Sequence, residues 1–240
     1  MSYKRIPRLF TACKLDFDAK ITINNNDTNY LFRVLRLKSK DKVFLFNGFD
    51  GEWKAEICPE KKFKLICIAK VREQKFTNTT ILFFPIIKPN NLRFLIEKAT
   101  ELGVTELYPI ITEYTNIRSI NKKKILSYLK ESSELSERLD IPSLHDPIKL
   151  KDVVDKIEKD DNILIFCDEN RDKVPIKQVL NKFKKSNVCF LVGPEGGFSD
   201  IEREFLLNSK KVKPVHLGER ILRTETAVLA ALSLFKLINE

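Results

Sequence analysis

The sequence predicts an α/β protein, a parallel sheet covered by helices, with a smaller β-rich domain in front of it. Three observations carry this. From residue 80 onward, short apolar runs alternate with longer stretches of helical spacing, the pattern of a parallel sheet with helices on both faces. Before that point the chain holds four short apolar or alternating runs and a glycine-bearing turn, the pattern of a small barrel. The charge divides at the same place: residues 1–74 carry 16 Lys and Arg against 9 Asp and Glu, whereas residues 75–240 carry 27 against 24. The predicted domains are 1–74 and 75–240, with the polar stretch Glu73–Thr79 as the connection.

The elements follow in order. Ala19–Ile23, Lys42–Phe46, Glu52–Ile57 and Lys64–Val71 read as strands. Asn47-Gly48-Phe49-Asp50-Gly51 is hairpin chemistry between two of them. Asn29–Arg36 reads as a helical turn, with Arg33 and Arg36 three apart and so on one face. Thr80–Lys88 is an apolar strand. Asn91–Leu102 is a helix with Gly103 as its cap. Val104–Thr112 is a strand, and Asn121–Arg138 a helix with a basic start. Asp161–Cys167 and Val188–Val192 are strands that end at Asp168-Glu169 and Gly193. Ser199 and Glu202 form a capping box that opens a helix to about Asn208. Pro214–Leu217 is a short strand, and Thr226–Ile238 a helix that is apolar on nearly every side.

Composition removes several classes. No run of 18 or more apolar residues exists, so no transmembrane helix and no membrane partner are expected, and the basic start lacks the apolar region of a secretory signal. The five cysteines are odd in number and lack a C-x-x-C pair, which argues against disulfides and against structural zinc. Two histidines cannot build a multi-histidine metal site, so no metal is expected. Cys167 and Cys189 lie in apolar runs and read as buried thiols of a reducing cytoplasm. The basic excess of residues 1–74 suits a polyanion partner.

The chain holds seven glycines, and four of them fall between residues 193 and 218. Gly193-Pro194-Glu195-Gly196-Gly197 follows an apolar strand and precedes a capped helix, where ligands of parallel sheets bind. It is neither a Walker A loop nor G-x-G-x-x-G. Leu217-Gly218-Glu219-Arg220-Ile221-Leu222-Arg223-Thr224-Glu225-Thr226-Ala227 also runs from a strand end into a helix. Its Ile221-Leu222 pair suits either a core edge or the face of a flat ring. Asp168-Glu169 stands at a third strand end.

These strings, with Leu191-Val192 and Phe198-Ser199 flanking the first, resemble the bacterial ribosomal RNA small-subunit N3-uridine methyltransferase family, of the SPOUT class. So do Glu97-Lys98-Ala99-Thr100-Glu101-Leu102-Gly103-Val104, Val34-Leu35-Arg36, Phe46-Asn47-Gly48 and Arg5-Ile6-Pro7-Arg8. The resemblance implies a PUA-like barrel that grips RNA and a SPOUT-type sheet with a C-terminal trefoil knot. It implies a homodimer, S-adenosylmethionine as cofactor, and 16S rRNA within the 30S subunit as substrate. The cofactor would sit among Cys167, Asp168 and Glu169, the loop Gly193, Pro194, Glu195, Gly196 and Gly197, and the loop Leu217, Gly218, Ile221, Leu222, Arg223, Thr224, Thr226 and Ala227. Backbone groups at Leu217 and Leu222 would hold the adenine. Arg223 would stabilise charge at the reacting uracil, and Glu195 or Glu225 would assist proton removal. Arg5, Arg8, Arg33 and Arg36 would contact RNA. The chain departs from the family pattern at Tyr30, Tyr114, Leu135 and Glu137, which bears on RNA recognition rather than on the cofactor loops. A ribose 2′-O methyltransferase of the same class, or an RNA-binding protein without catalysis, are the alternative readings.

Overall fold

A computed structural model of the chain describes residues 6–58, 64–75, 78–115, 119–170, 172–184 and 186–239. The chain divides into two units, Met1–Phe76 with Ser133–Ile141, and Thr77–Ser132 with Pro142–Glu240. Ser133–Ile141 thus belongs to the first unit, although the sequence reading places it in the second domain.

The first unit is a five-stranded sheet of β1 (Arg8–Phe10), β2 (Lys20–Thr22), β3 (Lys42–Phe46), β4 (Glu52–Ile57) and β5 (Lys64–Arg72), in the order β1-β3-β4-β5-β2. β1 runs parallel to β3 and the other pairs are antiparallel. Leu9 from one edge and Ile21 from the other share one core with Val43, Leu45, Trp53 and Leu65, so the sheet curls around a single apolar centre. At the β3–β4 turn the Asn47 side chain accepts from the backbone N–H of Phe49 at 3.0 Å and of Asp50 at 2.8 Å. Gly51 has φ +82°, and a Cβ there would lie 2.3 Å from the Arg72 carbonyl, so only glycine fits.

Arg8 is buried, at 7% exposure. Its Nε donates to Glu52 Oε1 at 2.6 Å, and its Nη atoms donate to the carbonyls of Ser133, Glu134 and Arg138 at 3.2, 3.1 and 2.7 Å. Those carbonyls lie at and beyond the end of α3 (Lys122–Leu135), where helical bonding stops. Arg8 is therefore a structural cation and not an RNA contact. Arg33 and Arg36 are both exposed, but not by way of an α-helical face. After α1 (Asn25–Asn29), Tyr30–Val34 forms a π turn closed by the Leu35 N–H on the Tyr30 carbonyl, and Arg36 follows in the left-handed region at φ +54°. Arg5 lies outside the described residues. The predicted helix Asn121–Arg138 ends at Leu135, and Glu137 stands at φ +62° beyond it.

The second unit is an eight-stranded sheet: β6 (Thr80–Pro85), β7 (Glu106–Ile111), β8 (Ser143–Leu144), β9 (Ile148–Lys149), β10 (Ile163–Cys167), β11 (Val174–Pro175), β12 (Val188–Val192) and β13 (Val212–His216). Its order is β11-β13-β10-β12-β6-β7-β8, with β9 also on β7, and every ladder is parallel. β6 and β12 are buried at every position, which explains why all but Thr80 of their residues are apolar. One face carries Ile81, Phe83, Phe166 and Leu191 against Leu150, Val153 and Ile157 of α4 (Leu150–Lys159). On β12, Phe190 meets Phe235 of α7 (Thr224–Asn239) edge to face, with centroids 5.5 Å apart. The sequence reading omits α4, although Leu150, Val153, Val154 and Ile157 have helical spacing. It also omits β1, β8, β9, β11 and α5 (Ile176–Leu180), all of five residues or fewer. Among the described residues no helix is long and apolar enough to cross a membrane.

Glu52 is 5% exposed and also accepts from Arg72 Nε at 2.6 Å. Glu52→Ala leaves Arg8 buried without its counter-ion and is expected to cost about 3–5 kcal/mol. Lys42→Ala breaks the half-exposed Lys42–Glu56 pair and should cost under about 1 kcal/mol. Trp53, the single tryptophan, lies in this unit, so denaturant titration followed by its fluorescence checks both.

Candidate functional site

β13, β10 and β12 are neighbours and run parallel, so their carboxyl ends meet at one edge of the sheet. Open parallel sheets bind ligands beyond that edge. Three loops leave it here: Asp168-Glu169 after β10, Gly193–Phe198 between β12 and α6 (Asp200–Leu207), and Leu217–Arg223 between β13 and α7. They enclose a cleft of about 230 Å³. Of the residues predicted from sequence, the cleft is lined by Cys167, Asp168, Glu169, Gly193, Pro194, Glu195, Gly197, Leu217, Gly218, Ile221, Leu222, Arg223, Thr224 and Ala227. Gly196, Thr226 and Glu225 are not among its lining residues. Gly196 lies instead beside Tyr114, whose Cβ would be 3.3 Å from a Cβ added at the glycine.

Local chemistry fixes each loop. The Gly197 N–H closes a turn on the Pro194 carbonyl at 2.9 Å, with Gly197 at φ +69°. Phe198 turns inward, so close that a Cβ on Gly193 would lie 2.7 Å from its ring. Ser199 and Glu202 form the predicted capping box, at 3.3 and 3.1 Å. The second carboxylate oxygen of Glu202 accepts the Glu113 N–H at 2.8 Å. The buried Thr224 hydroxyl donates to the Gly193 carbonyl at 2.9 Å, tying the two long loops together at the start of α7.

The electrostatics are divided. Asp168 is buried, pairs with Arg203 through Oδ1, and has no hydrogen-bond partner for Oδ2 among the described residues. Arg203 also reaches Glu169 at 3.2 Å. Arg223 is exposed and has no carboxylate partner among the described residues. Its carbonyl takes the Ala227 N–H at 2.8 Å, so it caps α7. His216 Nδ1 accepts from the Gly218 N–H at 3.1 Å. Burial pushes the Cys167 thiol up to about 12, so it stays protonated and is no nucleophile.

Sequence reading missed Val192, Phe198, Arg203, His216 and Arg220, all of which line the cleft. Val192, Phe198 and His216 adjoin predicted loops, and Arg220 lies inside one. Arg203 was marked only by standing one turn into a helix whose start the capping box had located.

The match to known proteins follows this geometry. The RNA methyltransferase domain family matches residues 73–236, and the RNA methyltransferase PUA domain family matches residues 23–67. The ribosomal RNA small subunit methyltransferase E of Rickettsia conorii is 34% identical over all of this chain and 97% of its own length. This chain belongs to the ribosomal RNA small subunit methyltransferase E family. The methyltransferase E of Buchnera aphidicola from Schizaphis graminum is 31% identical over 96% of the chain and 95% of that protein. Among solved structures, a methyltransferase E from Neisseria gonorrhoeae shares the fold, with TM-score 0.86 and 24% identity over 98% of both chains. A proposed methyltransferase from Legionella pneumophila, solved with bound cofactor SAM, is 28% identical over 98% of both chains, with TM-score 0.80.

Thiol labelling checks the closure of the strand ends. Cys13 is exposed and should react in the folded protein. Cys167 and Cys189, both held near 12 by burial, should stay unlabelled at neutral and mildly alkaline pH until denaturant is added. Mass spectrometry of the labelled peptides reads this, and labelling of native Cys167 would show that the strand end opens.

Proposed function

We propose that this chain methylates N3 of a uridine in 16S rRNA, using S-adenosylmethionine bound in the cleft at β10, β12 and β13. The observation that carries the reading is the convergence of three loops on one cleft that joins an apolar wall, buried acid and an unpaired arginine.

The cleft fits the cofactor by chemistry. Leu217, Leu222, Val192 and Ala227 supply an apolar slot for a flat ring, and Ile221, 74% exposed, offers one more apolar face at its rim. The unpartnered Oδ2 of Asp168 offers an acceptor to a hydroxyl or a cation. Backbone groups at Leu217 and Leu222, both of which line the cleft, would read a ring edge. When bound, S-adenosylmethionine supplies a methyl group from a sulfonium.

The chain's own residues have two tasks. Uracil N3 carries a proton that must leave, and charge then develops on the ring. Arg223 is held at the helix start, free of any acid among the described residues, and donates to that charge. Glu195 lines the cleft and is exposed, so it is the better proton acceptor. Glu225 does not line the cleft, and its Oε2 is buried. Arg203 holds Asp168 and Glu169 in place.

The rest of the reading concerns assembly. The first unit would grip RNA through Arg33 and Arg36, as a PUA-like domain. The substrate would be 16S rRNA within the 30S subunit, in a cytoplasm that keeps the thiols reduced. The stretch from Leu217 into α7 would be the knotted segment. In support, β13 lies beyond β10 in the sheet, whereas α7 packs back on β12. A homodimer would complete the enzyme, with the exposed apolar Ile201 and Leu237 as faces to cover.

Arg223→Ala should cut single-turnover methylation of 30S particles by about 10²–10³, with cofactor affinity by calorimetry unchanged. Nucleoside mass spectrometry should find N3-methyluridine. A ribose methyl group in its place overturns the choice of atom, and no heat of cofactor binding overturns the enzyme reading altogether.

A further inference from the structure

A second cavity, of about 120 Å³, opens in the same unit just beyond the carboxyl end of β6, where Ile86 and Ile87 line it. In sheet order β6 comes next after β12, so the cavity lies along the edge that carries the cleft. At about 30 Å³ per water it holds roughly four waters, the scale of a single pyrimidine ring. Its apolar lining includes Ile87, Leu92 and Ile125, and Asn121, Lys124 and Tyr128 add polar groups. The Asn121 side-chain oxygen caps α3 by accepting the Lys124 N–H at 3.1 Å, which leaves its amide nitrogen as a donor. Arg93 stacks on the Tyr128 ring at 5.1 Å and fixes the aromatic in place.

The surrounding charge is one-sided. The two chain stretches that line the cavity, 86–94 and 119–128, contain five Lys and Arg and no Asp or Glu. Arg93 is paired with Glu97, and Lys122 with Asp146. Lys88, Lys123 and Lys124 are exposed and have no acidic partner among the described residues. An apolar slot with an aromatic wall, beside three unpaired cations, matches an unstacked base followed by its phosphates.

We infer that this cavity takes one base of single-stranded RNA, with the adjoining phosphates on Lys88, Lys123 and Lys124. The inference rests on the reading that the substrate is RNA, and it adds a second contact point to the one in the first unit. The site would seat a nucleotide near the target and set which single-stranded sequence can present a uridine to the cleft.

The test uses the full chain carrying Arg33→Glu and Arg36→Glu, which silences the first unit, and a short fluorescent oligouridylate read by anisotropy over a salt series. Adding Lys123→Glu and Lys124→Glu should weaken binding at least about tenfold and flatten the salt slope by about 1.4, from roughly 0.7 per phosphate on single strands. Tyr128→Leu should weaken oligouridylate about fivefold or more and leave inorganic polyphosphate binding unchanged. Unchanged oligouridylate binding in either variant overturns the site. So does polyphosphate binding that falls with Tyr128→Leu. Methylation of 30S particles by the unaltered chain is measured in parallel. Methylation without oligouridylate binding removes this site and spares the proposed function, whereas absence of both removes the two together.

Discussion

The parallel ladder from β13 through β10 and β12 to β6 and β7 is the constraint on which the second unit depends. Parallel strands with both faces covered must be apolar throughout, because no side of the pleat reaches water. They must also end at the same edge, because each returns through a crossover. The first requirement explains Ile163–Cys167 and Val188–Val192 as sequences. The second explains why residues as distant as Asp168, Gly193 and Leu222 line one cleft. The chemistry is thus concentrated at one edge by the same register that builds the core.

The first unit shows a different use of charge. Its basic excess reads as an RNA footprint, yet part of that excess is internal. Arg8 and Arg72 converge on Glu52, and Arg8 also satisfies carbonyls at the end of α3. A buried ionic group of this kind holds the strand β1 to the segment that follows α3, through hydrogen bonds that only a guanidinium can make in such number. Net charge alone cannot separate this role from a surface one.

Much of the fold and of the cleft was legible in the sequence. The strands β10 and β12 show themselves by unbroken apolar runs, and the capping box of α6 and the glycine loop before it fall where expected. Residues such as Gly193 and Leu222 were legible because their strings are specific. What escaped had physical reasons. β1 and β8 are too short to show a period. The π turn at Tyr30–Val34 keeps the same composition as an α-turn and differs only in which carbonyl the Leu35 N–H meets. The burial of Arg8 depends on partners more than 120 positions away. Arg203 faces Asp168 only because α6 folds back over the end of β10.

The hydrogen bond from Thr224 to Gly193 has one more consequence. It pins the far end of the loop that begins after β13, so Leu217–Arg223 is a short span anchored at both ends. The conformational entropy of such a span is spent during folding rather than on ligand capture. The cleft therefore meets its ligand already ordered, and little of the contact energy is lost to arranging the loop.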